Sequence, residues 1–416
     1  MDQKSSTELL VQPTESPRVP YAILISAMLL AIAMVAPLFC IPPMEYILKE
    51  ELHITHAQTS LLYSIPVWMV GVVALPAGLI ADRIGFRKAA GIGAVLIAVG
   101  SLLRGTTTDM PSLLAFTFIY GVGFGWAFAS LPKMISAWVP REKAGIATGV
   151  YSAGIFIGEA LAFTLTIPFI FPLTNSFQGV FFIWSIPAIV AAVIFWVLLK
   201  EPSPKSLKVE SVPRSNVSFR QLLSKTLKNK NLLLLSSFHA LHLFFYYTWI
   251  GWAPTLVMSK GGTPELAGFI SSLSFWVAIP ASFIIPRLAH KLGLWRPFLL
   301  AAAIMMVIAA LAWNHISLDM SWLTMVLVGL ADCTIFVTVI ALPLEMVPEE
   351  EAGTACGLIL TAGHLGGPIG PLVGGHILDI TNDFNRALFI IVGVAIAMIC
   401  MSFRLPETGS KGQGSN

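Results

Sequence analysis

The chain has 416 residues, 56% of them hydrophobic and only 11% charged, where a soluble domain carries about a quarter charged residues. That composition excludes a water-soluble surface, and the net charge of +3 says little until its distribution is read. Residues 1–19 read as a polar tail. No cleavable leader is expected ahead of the first apolar run, which is too long for a signal-peptide core. Twelve apolar stretches follow, at 20–46, 57–80, 88–104, 111–137, 145–171, 178–199, 231–258, 265–286, 296–313, 319–345, 352–378 and 385–403. About 20 helical residues cross a hydrocarbon core of about 30 Å, so the chain is predicted to be an all-α membrane protein of twelve spans. Residues 200–230 form the one long polar linker, in which Phe219-Arg-Gln-Leu-Leu starts an amphipathic pattern suited to the membrane surface. The tail 405–416 is rich in Gly and Ser.

With both termini inside, the outer loops hold only Lys49, Arg104, Lys260 and Arg386, and Lys133 falls within a span; the rest of the 25 Lys and Arg lie inside. The positive-inside rule therefore fixes this orientation. The inner loop Pro348-Glu349-Glu350-Glu351 is acidic, but acids count little in that rule. Basic residues scattered over many loops argue against a nucleic-acid partner. Cys40, Cys333, Cys356 and Cys400 all lie in predicted spans without paired spacing, so neither a disulfide framework nor a zinc site is indicated. Compact outer loops fit a prokaryotic inner membrane.

The sequence Gly78-Leu-Ile-Ala-Asp82-Arg83-Ile-Gly85-Phe-Arg87-Lys88 recurs, fainter, as Pro286-Arg-Leu-Ala-His290-Lys291-Leu-Gly293-Leu-Trp-Arg296. The same offset carries Pro140-Arg-Glu-Lys-Ala-Gly145 onto Pro348-Glu-Glu-Glu-Ala-Gly353. Two halves, 20–199 and 231–404, are thus expected as related six-helix bundles, with a solute path between them. The fifth and eleventh spans are rich in glycine, which permits close and sliding helix packing.

The Gly78 to Lys88 loop between spans two and three resembles the signature of the major facilitator superfamily, and the two-half layout covers nearly the whole chain. Phe86 stands where the family often has a basic residue, and His290 replaces the acid in the second copy. Asp82 can accept hydrogen bonds near a helix end and Gly85 allows a tight turn, so Gly78, Asp82, Arg83, Gly85, Arg87 and Lys88 form a candidate gate; the alternative is a loop anchor that only sets topology. Thr117 stands where many proton-driven members have an arginine, and span five lacks the Gly-Pro pair of drug antiporters. Leu61-Leu-Tyr-Ser-Ile-Pro66, Leu102-Leu-Arg104 and Trp252-Ala-Pro254 are similar to segments of cyanate- and nitrate-type porters.

An ionisable group inside a span costs at least about 2.5–3.5 kcal/mol on insertion scales, which makes each a functional candidate. Asp332 lies at the centre of span ten, and the resemblance implies that this span lines the cavity. Glu159 is the matching deep acid of span five. Either suits a proton carrier; either could instead be a structural acid bonded between helices. Lys133 could attract an anion or extend to the interface, with Trp126 on the same face. His239, His242, Tyr246 and Trp249 recur at helical spacing on span seven, as a candidate solute-facing stripe. His364 and Glu345 are weaker candidates. No HExxH, phosphate loop or Gly-x-Ser-x-Gly elbow is present, and the glycines from Gly121 lie in a membrane helix with no strand before them. No enzymatic activity and no cofactor are expected.

The expectation is a monomeric transporter working by alternating access on a small, anionic solute. Trp126, Lys133, His239, His242, Tyr246, Trp249 and Asp332 are its candidate contacts, and Glu159 or Asp332 carries a coupling proton. Proton-driven efflux of amphipathic drugs is the alternative, and a non-transporting membrane sensor a remoter one.

Overall fold

The structure, a computed structural model, describes residues 21–139, 141–198 and 219–407. The two tails through residues 20 and from 408, most of the linker, and Pro140 of the repeated Pro140 segment lie outside the described residues, as does the Asp82 side chain. The first half contains α1 (Tyr21–Phe39), α2 (His56–Ile84), α3 (Phe86–Arg104), α4 (Met110–Trp138), α5 (Arg141–Leu165) and α6 (Phe177–Val193). The second contains α7 (Lys230–Ser259), α8 (Pro264–Leu292), α9 (Arg296–Trp313), α10 (Ser321–Met346), α11 (Glu349–Gly366, resuming as Ile369–Thr381) and α12 (Asn385–Ser402). Ten of these are long and apolar enough to cross a membrane. The other two complete the twelve: α3 carries Arg87, Lys88 and Arg104, and α7 carries two histidines among its aromatics.

Local chemistry sets the helix starts. Thr55 builds a capping box with Gln58, Asp109 accepts from the Ser112 amide, Ser176 from Gly179, and Asn229 from Asn231 and Leu232. Gly85, at φ 87°, turns the chain from α2 into α3, and Gly293, at φ 64°, does so between α8 and α9. These are the matching glycines of the sequence repeat. Both need a left-handed backbone that a Cβ disfavours.

The first span is interrupted, and one expectation, the placing of Arg104, needs correction. The stretch at 20–46 falls in one candidate membrane span, Tyr21–Leu52, within which α1 stops at Phe39 and the chain continues through a 3-10 turn at Pro42–Met44 into the helix Glu45–Leu52. Pro42 and Pro43 have no amide hydrogen to continue α1. Arg104, expected in an outer loop, is the last residue of α3 and is fully buried. Its Nη1 donates to the Pro37 carbonyl at 2.9 Å, and its guanidinium sits over the Phe181 and Tyr120 rings at 4.0 and 5.0 Å.

The halves meet along two helix pairs. Where α5 meets α8, Gly268 packs so closely on the Phe163 carbonyl that a Cβ would fall 2.6 Å from it, and Phe283 covers Gly149 toward the other end. α2 and α11 touch only over part of their length. From its start, α2 bonds to α11 through Ser60 to the Pro371 carbonyl, Ser64 to Pro368 and Trp68 to Leu365. Toward the Gly85 turn the pair parts. Gly353 and Gly357 share a face of α11 with His364, and a Cβ on either would meet nothing within 4 Å. Among the described residues, one face of the protein is closed, and the face bearing the repeated loops is open.

Candidate functional site

A cavity lies between the halves, and two buried acids from opposite bundles face it: Glu159 on α5 and Asp332 on α10. The Tyr246 hydroxyl on α7 donates to Glu159 Oε2 at 3.4 Å. His242 Nε2 stands 3.0 Å from Asp332 Oδ1, near enough for an ion pair but too bent for a hydrogen bond, so this nitrogen has no hydrogen-bond partner. The His239 ring stacks on His242, with Nδ1 atoms 3.4 Å apart, and its buried Nε2 is also unpartnered. His364 enters from α11, its Nδ1 2.8 Å from the Leu360 carbonyl and its ring edge-on to Phe128. No Lys or Arg occurs among the described residues that line this space.

The arrangement brings together some of the expected residues and disperses others. His239, Tyr246, Glu159 and Asp332 line the cavity, and His242 reaches Asp332. Trp249 does not join them: its indole donates to Met325 Sδ at 3.3 Å and packs edge-on against Trp313, inside the second bundle. Helical spacing alone put it on the stripe, but the fourth residue of the series has rotated away from the seam. Lys133 is also corrected. Its Nζ donates to the Gly78 carbonyl at 2.6 Å and pins α4 to α2 near the open face, away from the cavity. Trp126 is half-buried outside the lining, with an unpartnered Nε1. Glu345 accepts from the Trp295 indole at 3.0 Å.

Of the loop residues, Gly78 receives Lys133 and Arg87 donates to the Phe195 and Trp196 carbonyls at 3.1 and 2.8 Å, which ties the start of α3 to the segment Ile194–Leu198 just beyond α6. Arg83 and Lys88 are exposed, and Gly85 forms the turn. The helix at Phe219–Lys228 docks on α11 through a Lys225–Glu351 ion pair.

Sequence reasoning missed the closed face. Asp379, near the end of α11, accepts from the His56 and Ala57 amides at 2.9 and 3.0 Å. These are first-turn amides of α2 that the helix itself leaves unpaired. The His56 ring bridges Glu45 at 2.6 Å and Lys49 at 2.5 Å. Below them Tyr63 packs edge-on to Phe39 and Tyr247, and lines a small pocket beneath the closure. No local signal marks Asp379, because its partners lie more than 320 positions away along the chain.

Comparison with known proteins agrees with this architecture. The Major Facilitator Superfamily profile matches residues 21–371 and, overlapping, 261–416. The uncharacterized transporter YycB of Bacillus subtilis is 24% identical over 374 residues, covering 88% of this chain and 87% of its own. The cyanate transport protein CynX of Escherichia coli is 21% identical, covering 86% and 92%, and the probable nitrate transporter NarT of Staphylococcus aureus is 26% identical, covering 87% and 90%. In structure, a D-xylose–proton symporter superposes with a TM-score of 0.76 at 15% identity, over 95% of this chain and 99% of that one. Twelve spans in two related bundles, a seam cavity and the profile match over most of the sequence place the chain in the Major Facilitator Superfamily.

Proposed function

We propose that this transporter carries a small anion together with a proton, with both termini in the cytoplasm of a prokaryotic inner membrane and the open face directed inward. One observation carries the reading. Among the described residues, the ionisable groups lining the cavity are two carboxyls, two histidines and two tyrosines, with no Lys or Arg among them. With the carboxyls ionised, such a space repels an anion. With them protonated, Glu159 and Asp332 become hydrogen-bond donors to it, beside the Tyr246 hydroxyl. The solute therefore favours the protonated cavity, and each ligand shifts the other's occupancy. Glu159 and Asp332 carry the proton in this scheme, while His239, His242 and Tyr246 orient the solute. The charged loop from Gly78 to Lys88, with Asp82 in it, acts at the inner gate. The cyanate and nitrate carriers among the relatives support an anion.

The same carboxyls beside aromatic rings favour a second reading, export of an amphipathic organic cation in exchange for protons. The two differ in sign. In proteoliposomes that are more acidic outside, labelled benzenesulfonate, nitrate or gluconate is expected to accumulate, and a protonophore to abolish the accumulation. If no anion of this panel accumulates while labelled tetraphenylphosphonium is expelled, the symport reading is wrong.

A further inference from the structure

The cavity has two unlike walls. From the first half come Phe124, Phe128, Ile155 and Phe156 with their aliphatic neighbours, and Glu159 and Ser152 are the only polar side chains there. The second half supplies His239, Tyr246, Tyr247, Asp332 and His364, with Phe336 and Leu243. Ring pairs span the seam: Phe128 meets His364 edge-on at 5.1 Å between centroids, and Phe156 meets Phe336 at 6.4 Å. On the polar side, His239 Nε2 is buried without a partner.

We infer that the solute is a small planar aromatic acid, its ring against the phenyl wall of the first half and its acid group toward His239, Asp332 and His364. This rests on the proton-coupled anion reading above. An inorganic anion is hydrophilic on every side and would lose hydration against the apolar wall with nothing in return. A polyhydroxy acid needs a partner for each hydroxyl, and one wall has almost none to offer. A single aromatic ring gains burial and offset or edge-on contacts with that wall. Because the solute touches one half with its ring and the other with its acid group, it also holds the halves together at the seam. The carboxyls that must be protonated share the cavity with Tyr246, Tyr247, His239 and His364, and His242 stands beside Asp332, so among the described residues lining it no Lys or Arg substitutes for the proton.

The test is isothermal titration of the purified full chain in detergent with benzoate, benzenesulfonate, nitrate, gluconate and tetraphenylphosphonium. Benzoate and benzenesulfonate are expected to bind at least about tenfold more tightly than nitrate or gluconate. Phe128→Ala is expected to weaken benzoate about tenfold, and Phe128→Leu, which keeps apolar volume without the ring, to weaken it too. Melting curves show that each variant is folded. Nitrate or gluconate binding as tightly as benzoate overturns the aromatic assignment and leaves the anion symporter standing. Binding of tetraphenylphosphonium alone overturns the anion reading beneath it. Failure of benzoate to bind at millimolar concentration also overturns the assignment.

Discussion

Asp379→Ala should open the closed face. The first-turn amides of α2 divide their partners: Thr55 Oγ1 takes Gln58 within the same half, while His56 and Ala57 donate to the Asp379 carboxylate of the other half at 2.9 and 3.0 Å. Hydrogen bonds to a charged group contribute about 1.5–3 kcal/mol each, and a negative charge at a helix start adds about 0.3–1 kcal/mol. Asp379 is half-exposed, so water replaces much of this when the carboxylate is lost, and a net weakening of about 1.5 kcal/mol is reasonable. The contact exists only while the face is closed, so the whole difference appears in the conformational equilibrium, as a shift of about tenfold toward the open face. The assay is the distance distribution between spin labels at Glu51 and His376, both exposed on this face, after Cys356 and Cys400 are replaced by Ser. Asp379→Ala is expected to move population to longer distances, and Asp379→Asn to move less. An unchanged distribution, or a shift to shorter distances, would refute the idea that this carboxylate latches the halves.

Three further outcomes follow from the same geometry. Gly375→Val should prevent closure altogether: a Cβ there falls 2.7–2.9 Å from Ser60 Oγ, the His56 carbonyl and the Ala57 amide, and backbone atoms cannot yield. Solute binding should survive while uptake is lost, which paired binding and transport assays would show. Glu159→Gln and Asp332→Asn should each abolish accumulation driven by a pH gradient, and at least one should retain solute exchange at equal pH, measured as counterflow. Lys133→Ala should leave the solute KM within about twofold, because Lys133 holds the Gly78 carbonyl rather than the cavity; its cost should appear as a lower melting temperature.

Sequence patterns with a local physical cause were legible, and pairings across the seam were not. Each apolar run became a helix because its length and composition leave a membrane segment no other way to satisfy its backbone. The repeat was readable because Gly85 and Gly293 answer the same backbone requirement. Glu159 and Asp332 stood out because an acid deep in a span is costly without a role. Helical spacing grouped His239, His242 and Tyr246, yet it could not say where the stripe ends. Trp249, one turn further, found Met325 and Trp313 in its own bundle. Lys133 shows a different limit, since depth in a span does not reveal which carbonyl a long side chain will reach. Arg104 looked like a loop residue because it closes an apolar run, but the buried Pro37 carbonyl and two rings draw it inward.

The central claim, that anion and proton share one cavity, is tested most directly by counting protons on binding. Benzoate, and nitrate in a second series, would be titrated into the protein near pH 7 in buffers of different ionisation enthalpy. The dependence of the measured heat on the buffer gives the proton number. Uptake of about one proton per bound anion is expected, and its loss in the Glu159→Gln, Asp332→Asn double variant. Anion binding with no proton uptake, or with proton release, would contradict it.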